Sequence, residues 1–256
     1  MNQSSRTAEH MAFFRALESL RPPHQRLFSD PYAACFLSPG FRRAVSLASV
    51  PGLGRAIPWL ADVIVPGARS SAIARTRVID DALVAALAKG IRQVVILGAG
   101  FDCRALRIPE LRPARIFEVD HPQTFATKRA HLAQFADQQP ASLTFVQIDF
   151  NQQSLAEVLR QAGFVSSQRS VLLWEGVTNY LTADAVASVL ATFPDPDPGR
   201  AFERELCVRA VLKGAPAMCV YASSTSTTEP FGLFATSHSI SAFEVRVPLG
   251  LFGLQM

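Results

Sequence analysis

Glycines or carboxylates stand directly after four apolar runs of this 256-residue chain. Glycine tolerates positive φ and lets the backbone pass close to a ligand. A carboxylate accepts hydrogen bonds from hydroxyl and amino groups. Such residues, brought together, could bind a ligand that carries several of these groups. They are Gly98, Ala99 and Gly100 after the first run, Asp120 after the second, Asp149 with Phe150 after the third, and Glu175 after the fourth.

The apolar runs alternate with segments of helical periodicity, and this alternation indicates the fold. Runs rich in β-branched residues, such as residues 94–97, are typical of buried parallel strands. Strand–helix alternation predicts an α/β fold with a doubly wound, mostly parallel sheet and helices on both faces. Right-handed crossovers then place the strand ends at one edge, where ligands bind. The predicted strands are 94–97, 116–120, 143–149 and 170–175, and the predicted helices are 69–89, 122–135, 154–161 and 182–193.

Each of these signals has a purely structural alternative. A Gly-x-Gly sequence after a strand is often no more than a tight turn. Asp120 could cap the helix that is predicted from Pro122, and Glu175 could cap the helix after the fourth strand. The placement of all four signals at one sheet edge favours a ligand site over these alternatives.

The residues after the glycine turn bear on the kind of nucleotide. A dinucleotide fingerprint needs a third glycine for close helix packing, and this chain has Cys103 there. Asp102 adds a negative charge where a pyrophosphate would rest. S-adenosyl-L-methionine has no phosphate, and its ribose hydroxyls, amino group and positive sulfur suit carboxylates. Asp120, 20 residues past Gly100, is well placed for the ribose hydroxyls. The sequence therefore favours S-adenosyl-L-methionine over NAD.

Five ordered segments resemble a known family. They read SLRPPHQRLFSDPYAACFL, ARTRVIDDAL, QVVILGAGFDCRALRIP, FEVDHPQTFATKRAHL and LLWEGVTNYLT. On these segments, residues 5 to about 193 resemble the leucine carboxyl methyltransferase family. Within that family the chain is most similar to the bacterial branch of S-adenosyl-L-methionine-dependent methyltransferases. The resemblance implies a Rossmann-like class I methyltransferase fold with an N-terminal helical lid.

The resemblance also implies roles for the matching positions. Arg75 is similar to the arginine that binds the methionine carboxylate of the cofactor, although by itself it could be an ordinary surface arginine. Arg15, in the FFRALES segment, is similar to a basic residue near the site and is a candidate contact on the substrate side. The other implied cofactor contacts are Gly98 of the Gly98-Ala99-Gly100 turn for the methionine portion, Asp120 for the ribose, Asp149 and Phe150 for adenine, and Glu175 for the methionine amino end.

The chain is expected to divide into three parts. Residues 1–68 form the helical lid on the acceptor side, and its apolar stretch 45–68 folds as a pair of short buried or lid helices. Residues 69–193 form the cofactor-binding core. Residues 194–256 are atypical of the resembled family, with strand candidates at 218–222 and 243–247. The abrupt change near Phe193 indicates either a shifted reading frame with a poorly ordered C-terminal segment, or natural divergence of the acceptor-binding end.

Together these features predict an S-adenosyl-L-methionine-dependent methyltransferase. The expected reaction is O-methyl transfer to a carboxylate or hydroxyl of a small molecule. In-line displacement needs orientation and desolvation more than a strong base, and no catalytic residue is assigned. Two alternatives stay open. One is a catalytically impaired relative that binds a nucleoside or a partner protein, and the other is an NAD(P)-linked oxidoreductase.

Composition argues against other classes of function. The net charge of +4 is spread along the chain, without the basic stripe typical of nucleic-acid binding. The four cysteines have no CxxC spacing, so no metal site is expected, and reduced thiols are typical of a cytoplasmic protein. No apolar stretch reaches the roughly 20 uninterrupted residues of a bilayer span.

Overall fold

Six strands form one sheet in the order β3-β2-β1-β4-β5-β6. The computed structural model describes residues 3–52, 54, 56–150, 152–175, 189, 204–208 and 221–223. All neighbouring strands are parallel except β5 and β6, which are antiparallel. The α/β prediction with a mostly parallel sheet is confirmed. The strands are β1 (Gln93–Leu97), β2 (Arg115–Asp120), β3 (Leu143–Gln147), β4 (Val171–Trp174), β5 (Arg204–Val208) and β6 (Tyr221–Ser223).

The chain order of the strands reverses beside β1. From β1 the chain builds outward through β2 to β3, then returns to place β4 on the other side of β1. This reversal is a topological switch point, where open α/β sheets bind ligands at the carboxyl ends of their strands. The segments that follow β1, β2 and β4 therefore meet at one edge.

Seven α-helices are described, and local sequence signals explain several of their ends. Gly90, at a φ of 88°, follows the helix that precedes β1, as a glycine after a helix C-terminus does. Proline at the first position of a helix is also favoured. The helices are α1 (Gln3–Ser19), α2 (Pro39–Ala48), α3 (Ala56–Ile64), α4 (Ala68–Ala88), α5 (Arg104–Arg107), α6 (Pro122–Leu132) and α7 (Leu155–Gln161).

Alternate residues of the central strand pack on opposite faces of the sheet, as the period of two in a strand requires. Val94 and Ile96 of β1 belong to a buried cluster that includes Leu83 of α4. Val95 and its neighbours on the other face pack with Leu159 of α7. Every residue of β1 is buried, so the sheet has a core on both faces.

A third core cluster joins the N-terminal helices to the glycine turn after β1. Phe13 of α1 and Phe36 share this cluster with Phe101 and Cys103, which follow the turn. The rings of Phe36 and Phe101 stack at 4.5 Å with an interplanar angle of 10°. The N-terminal helices are thereby packed against the carboxyl edge of the sheet.

The stretch 45–68 contains the end of α2 and all of α3, in accord with the prediction of two short helices. No residue of α3 is buried, so of the two expected alternatives, buried or lid helices, α3 is not a buried helix. Trp59 is 65% exposed and Ile64 is 68% exposed. Among the described residues, no helix is both long and apolar enough to cross a bilayer.

Three predicted boundaries need correction. β3 ends at Gln147 rather than at residue 149, so Asp149 lies in the turn beyond the strand. α6 ends at Leu132, because a 3-10 segment, Ala133–Gln138, replaces its last predicted turn. β6 overlaps the strand candidate 218–222 at two positions, while β5 was not predicted. The strand candidate 243–247 and, apart from Val189, the predicted helix 182–193 lie outside the described residues.

Candidate active site

The turn after β1 depends on its two glycines. Gly98 and Gly100 have φ angles of 61° and 46°, in the left-handed region that glycine adopts without strain. The amide of Gly98 donates to the carbonyl oxygen of Val119 at 2.7 Å. The amide of Asp102 donates to the carbonyl oxygen of Ala99, also at 2.7 Å. The turn is thus tied to β2 and leaves little side-chain bulk at the sheet edge.

Asp120 lies at the end of β2 and fastens the glycine turn. The amide of Gly100 donates to its Oδ2 at 2.6 Å, and the amide of His121 donates to its Oδ1 at 2.6 Å. The Thr124 side chain also hydrogen-bonds to this carboxylate. A carboxylate has about four acceptor positions, so acceptor capacity remains. Burial raises the pKa of Asp120, although both amide hydrogen bonds act in the opposite direction. The N-cap of α6 is His121, whose ring accepts from the amide of Gln123.

Arg75 and Glu175 come together from positions 100 residues apart. The Nε of Arg75, on α4, donates to Oε1 of Glu175 at 2.5 Å. Arg75 is only 6% exposed, so it is not an ordinary surface arginine. Burial acts to raise the pKa of Glu175, but Arg75 and Arg104 outweigh it and the pKa is lowered. The sheet edge therefore holds an opposed pair of ionised groups.

Arg104 joins this pair to two further carboxylates and was not singled out from the sequence. Its Nε donates to Oδ1 of Asp80 at 2.8 Å, and its Nη2 to Oε2 of Glu175 at 3.3 Å. Its Nη1 pairs with Asp102. Asp102 is therefore compensated by an arginine, which weakens the argument that its charge excludes a pyrophosphate. The position of Arg104 as the first residue of α5 gave no sequence signal that could distinguish it from its neighbours.

The buried charges continue from Arg104 to the N-terminal helices. Arg107 pairs with Oδ2 of Asp80 at 2.6 Å and has its Nε 3.9 Å from Oδ2 of Asp30. Asp30 also pairs with Arg15 at 2.8 Å. Buried charges of this kind are stable only when they are paired and hydrogen-bonded. The alternation of arginines and carboxylates links α1, α4, α5 and the residue after β4.

Arg15 lies beside the glycine turn. Its Nη2 donates to the carbonyl oxygen of Phe101 at 2.6 Å, and its Nε is paired with Asp30. Its side chain is 14% exposed. The guanidinium thus fastens α1 to the segment after β1, and a contact between Arg15 and the substrate stays a prediction.

Asp149 and Phe150 follow β3 at the same edge. The carbonyl oxygen of Asp149 accepts from the amides of Gln152 and Gln153 at 3.0 Å each. Its carboxylate accepts from Nε2 of Gln152 at 2.8 Å. Phe150 is half-buried and packs against the core on the α7 face of the sheet. Asp149 therefore begins a turn at the edge, half-buried and next to an aromatic ring.

A further buried ion pair joins α6 to β2. Nζ of Lys128, on α6, donates to Oε2 of Glu118 at 2.6 Å, and both side chains are 1% exposed. Burial raises the pKa of Glu118 to about 7, against the opposing effect of Lys128. Glu118 points to the face of β2 opposite to Val119, because successive side chains of a strand alternate between faces. Among the described residues, no group of three or more His, Cys, Asp or Glu side chains is arranged to hold a metal ion.

Comparison with protein families agrees with this picture. A family model described as leucine carboxyl methyltransferase matches residues 8–193. A relative from Frankia alni is 37% identical over 186 residues, which is 72% of this chain and 62% of the relative. A relative from Streptomyces coelicolor is 35% identical over 190 residues, with the same two shares. Both carry provisional names as S-adenosyl-L-methionine-dependent methyltransferases.

The chain spans less than two thirds of the length of these curated relatives. Among solved structures, a provisionally named methyltransferase from Thermobifida fusca aligns with 78% of this chain and 70% of its own. The identity is 16% and the TM-score is 0.47.

Proposed function

The chain belongs to the leucine carboxyl methyltransferase family, and we propose that it binds S-adenosyl-L-methionine and transfers its methyl group to an oxygen atom of a small molecule. The observation that carries this proposal is the meeting of three features at the switch point of the sheet. They are the glycine turn after β1, the Asp120 carboxylate bonded to that turn, and the Arg75–Glu175 ion pair. The names of the curated relatives support the same cofactor.

The charges at the edge fit the two ends of this cofactor. A methionine zwitterion carries one carboxylate and one ammonium group, and the Arg75–Glu175 pair offers one charge of each opposite sign. The Asp120 carboxylate suits ribose hydroxyls, which would donate to its oxygens. The positive φ at Gly98 and Gly100 lets the backbone approach the ligand without a side chain between them.

The proposed contacts follow the order of the strands. Arg75 holds the carboxylate and Glu175 holds the ammonium group. Gly98, Ala99 and Gly100 lie along the methionine portion, and Asp120 holds the ribose hydroxyls. Asp149 accepts from the adenine amino group, and Phe150 packs against the base. No catalytic residue is assigned.

We assign residues 1–68 to the lid and the acceptor side of the site, and residues 69–193 to the cofactor-binding core. A β-carbon built on Gly100 would lie 3.8 Å from Cβ of Ala8 in α1. Nη2 of Arg75 lies 3.4 Å from Sδ of Met11, also in α1. These contacts support α1 as the part of the lid nearest the cofactor.

A cytoplasmic location also stays a prediction.

The bound cofactor supplies a methyl group on a positively charged sulfur, which leaves as a neutral thioether when the acceptor oxygen attacks the methyl carbon. The residues of this chain orient the cofactor and exclude water. A carboxylate acceptor needs no proton removal, whereas a hydroxyl must release its proton. Both acceptor classes belong to the proposal, and Arg15 is the proposed contact on the acceptor side.

Titration calorimetry with S-adenosyl-L-methionine and S-adenosyl-L-homocysteine tests the proposal. The wild-type chain is expected to bind both, and Asp120→Ala to abolish binding. Asp120→Asn keeps the shape of the side chain and removes its charge. It is expected to weaken binding about 100-fold, because hydrogen bonds to charged groups contribute about 1.5–3 kcal/mol each.

Asp137→Asn is the matched control, because Asp137 is an exposed aspartate in the 3-10 segment Ala133–Gln138. Its affinity should equal that of the wild type. Wild-type affinity in both Asp120 variants would refute the assignment, and binding of NAD(P) in place of S-adenosyl-L-methionine would favour the oxidoreductase alternative. A panel of carboxylic and hydroxylic acceptors then separates methyl transfer from binding alone.

A further inference from the structure

Arg104 is the shared partner of three carboxylates. Each of its three guanidinium nitrogens pairs with a different carboxylate, those of Asp80, Asp102 and Glu175. Only 5% of its side chain is exposed. A planar guanidinium with five donors can bridge three acceptors in fixed directions, which a lysine ammonium on a flexible stem cannot reproduce. Arg104 is therefore held in a fixed orientation, in contact with Glu175.

The proposed contacts to the methionine portion require Arg75 and Glu175 to bind the ligand as well as each other. In the described structure Arg75 donates to Glu175 at 2.5 Å. When the ligand carboxylate engages Arg75, that guanidinium must share its charge with a second anion. Glu175 then needs another cation to stay ionised and in place, because an unpaired buried carboxylate is costly.

We propose that Arg104 is the positioning residue that holds Glu175 for the ammonium group of the cofactor while Arg75 turns to the carboxylate. The inference rests on the proposed function of this site. Arg104 contacts Oε2 of Glu175 and Arg75 contacts Oε1. One oxygen is thus retained by Arg104 while the other becomes available to the ligand. Asp80 and Asp102 keep Arg104 from following Arg75.

The proposal predicts a selective loss of affinity. S-adenosyl-L-homocysteine carries the amino-acid portion, whereas 5′-methylthioadenosine shares the adenosine and lacks it. Arg104→Lys is expected to weaken the binding of S-adenosyl-L-homocysteine about tenfold or more, and tenfold corresponds to about 1.4 kcal/mol. The affinity for 5′-methylthioadenosine should be unchanged. Calorimetry gives both affinities, and their ratio is the quantity to compare.

Arg107→Lys is the matched control. Arg107 lies on the same short helix, has a side chain that is 5% exposed and shares Asp80 with Arg104, yet within the described residues it pairs with Asp80 and Asp30 and not with Glu175. This variant disturbs the same buried charges and should leave the affinity ratio unchanged. In a Glu175→Gln background, Arg104→Lys should have no further effect on the ratio, because Arg104 acts through Glu175.

An unchanged ratio in Arg104→Lys would overturn the inference and leave the proposed function standing. An equal loss in Arg107→Lys would also overturn it, because the effect would then be structural. A wild-type chain that binds neither nucleoside overturns the proposed function and the inference with it.

A second variant serves if Arg104→Lys does not fold. Asp102→Asn removes one of the anions that hold Arg104 and leaves Glu175 itself unaltered. The same selective loss is expected, in smaller degree. Wild-type selectivity in this variant would contradict the positioning role.

Discussion

Asp102 shows how a single residue of the glycine turn is stabilised by its neighbour. Its Oδ1 accepts from the backbone amide of Arg104 at 2.6 Å, and its Oδ2 pairs with the guanidinium of the same residue. Burial acts to raise the pKa of Asp102, but Arg104, with a contribution from Lys128, lowers it to about 2. The ionised form is therefore the one that the fold favours.

This lowered pKa predicts a pH-dependent contribution to stability. Because the pKa is lower in the folded chain, ionised Asp102 stabilises the fold above its ordinary pKa of 3.8 and this contribution is lost as the pH falls through about 2. The wild type should have a larger free energy of unfolding than Asp102→Asn at about pH 5. This difference between the two proteins should be about 2 kcal/mol smaller at about pH 2. Urea denaturation at both pH values measures the difference.

Asp81→Asn provides the control at the same scale. Asp81 forms an exposed ion pair with Arg77, with side-chain exposures of 59% and 47%, and exposed pairs contribute little. Its stability gap to the wild type should be small at both pH values. A gap for Asp102→Asn that stays constant or widens in acid would contradict the lowered pKa.

α1 packs against the segment that follows the glycine turn, and Arg15 supplies polar contacts there. The guanidinium joins α1 both to Asp30 and to the carbonyl oxygen of Phe101, which immediately follows the glycine turn. Truncation of one partner of a buried ion pair leaves the other uncompensated. The position of α1 over the glycine turn should therefore depend on this residue.

Arg15→Gln is expected to destabilise α1 by about 3 kcal/mol. Hydrogen exchange should show faster exchange of the α1 amides and of the turn at 98–101, while β1 keeps its protection. Arg6→Gln is the control, since Arg6 also lies on α1 and is exposed. Equal exchange in the two variants would mean that Arg15 does not hold α1 in place.

The sequence predicted the elements better than the contacts between them. Apolar runs with β-branched residues indicated β1, β2, β3 and β4 and their order along the chain, because burial on both faces leaves a strong pattern. The carboxylates at the strand ends followed from the same pattern. The ion pairs of Arg104 with Glu175 and of Lys128 with Glu118 could not be predicted, because the partners are separated by 71 and 10 positions in the sequence. A single charged residue has no periodicity from which its partner can be inferred.

At the scale of the whole molecule, the question is whether the C-terminal segment completes the sheet. The atypical composition after residue 193 allowed either a shifted frame or natural divergence. In the described structure β5 pairs in parallel with β4, with Leu206 opposite Leu172, and β6 pairs with β5. All residues of β4 are buried. Without β5, this buried strand would become an open edge, which is a template for aggregation.

Leu206→Pro tests the place of β5 in the sheet. Proline removes a backbone donor and is not tolerated inside a sheet, so the free energy of unfolding should fall by on the order of 3 kcal/mol. Leu206→Ala keeps the backbone donor at the same position and controls for loss of the side chain. Thermal unfolding with light scattering should show a lower Tm and earlier aggregation for the proline variant than for the alanine variant. If the two variants unfold alike, β5 does not pair with β4 in solution and the segment after residue 193 is not part of the fold. A clear difference instead favours natural divergence over a shifted reading frame. A segment translated from another frame is not expected to form a strand that pairs with β4.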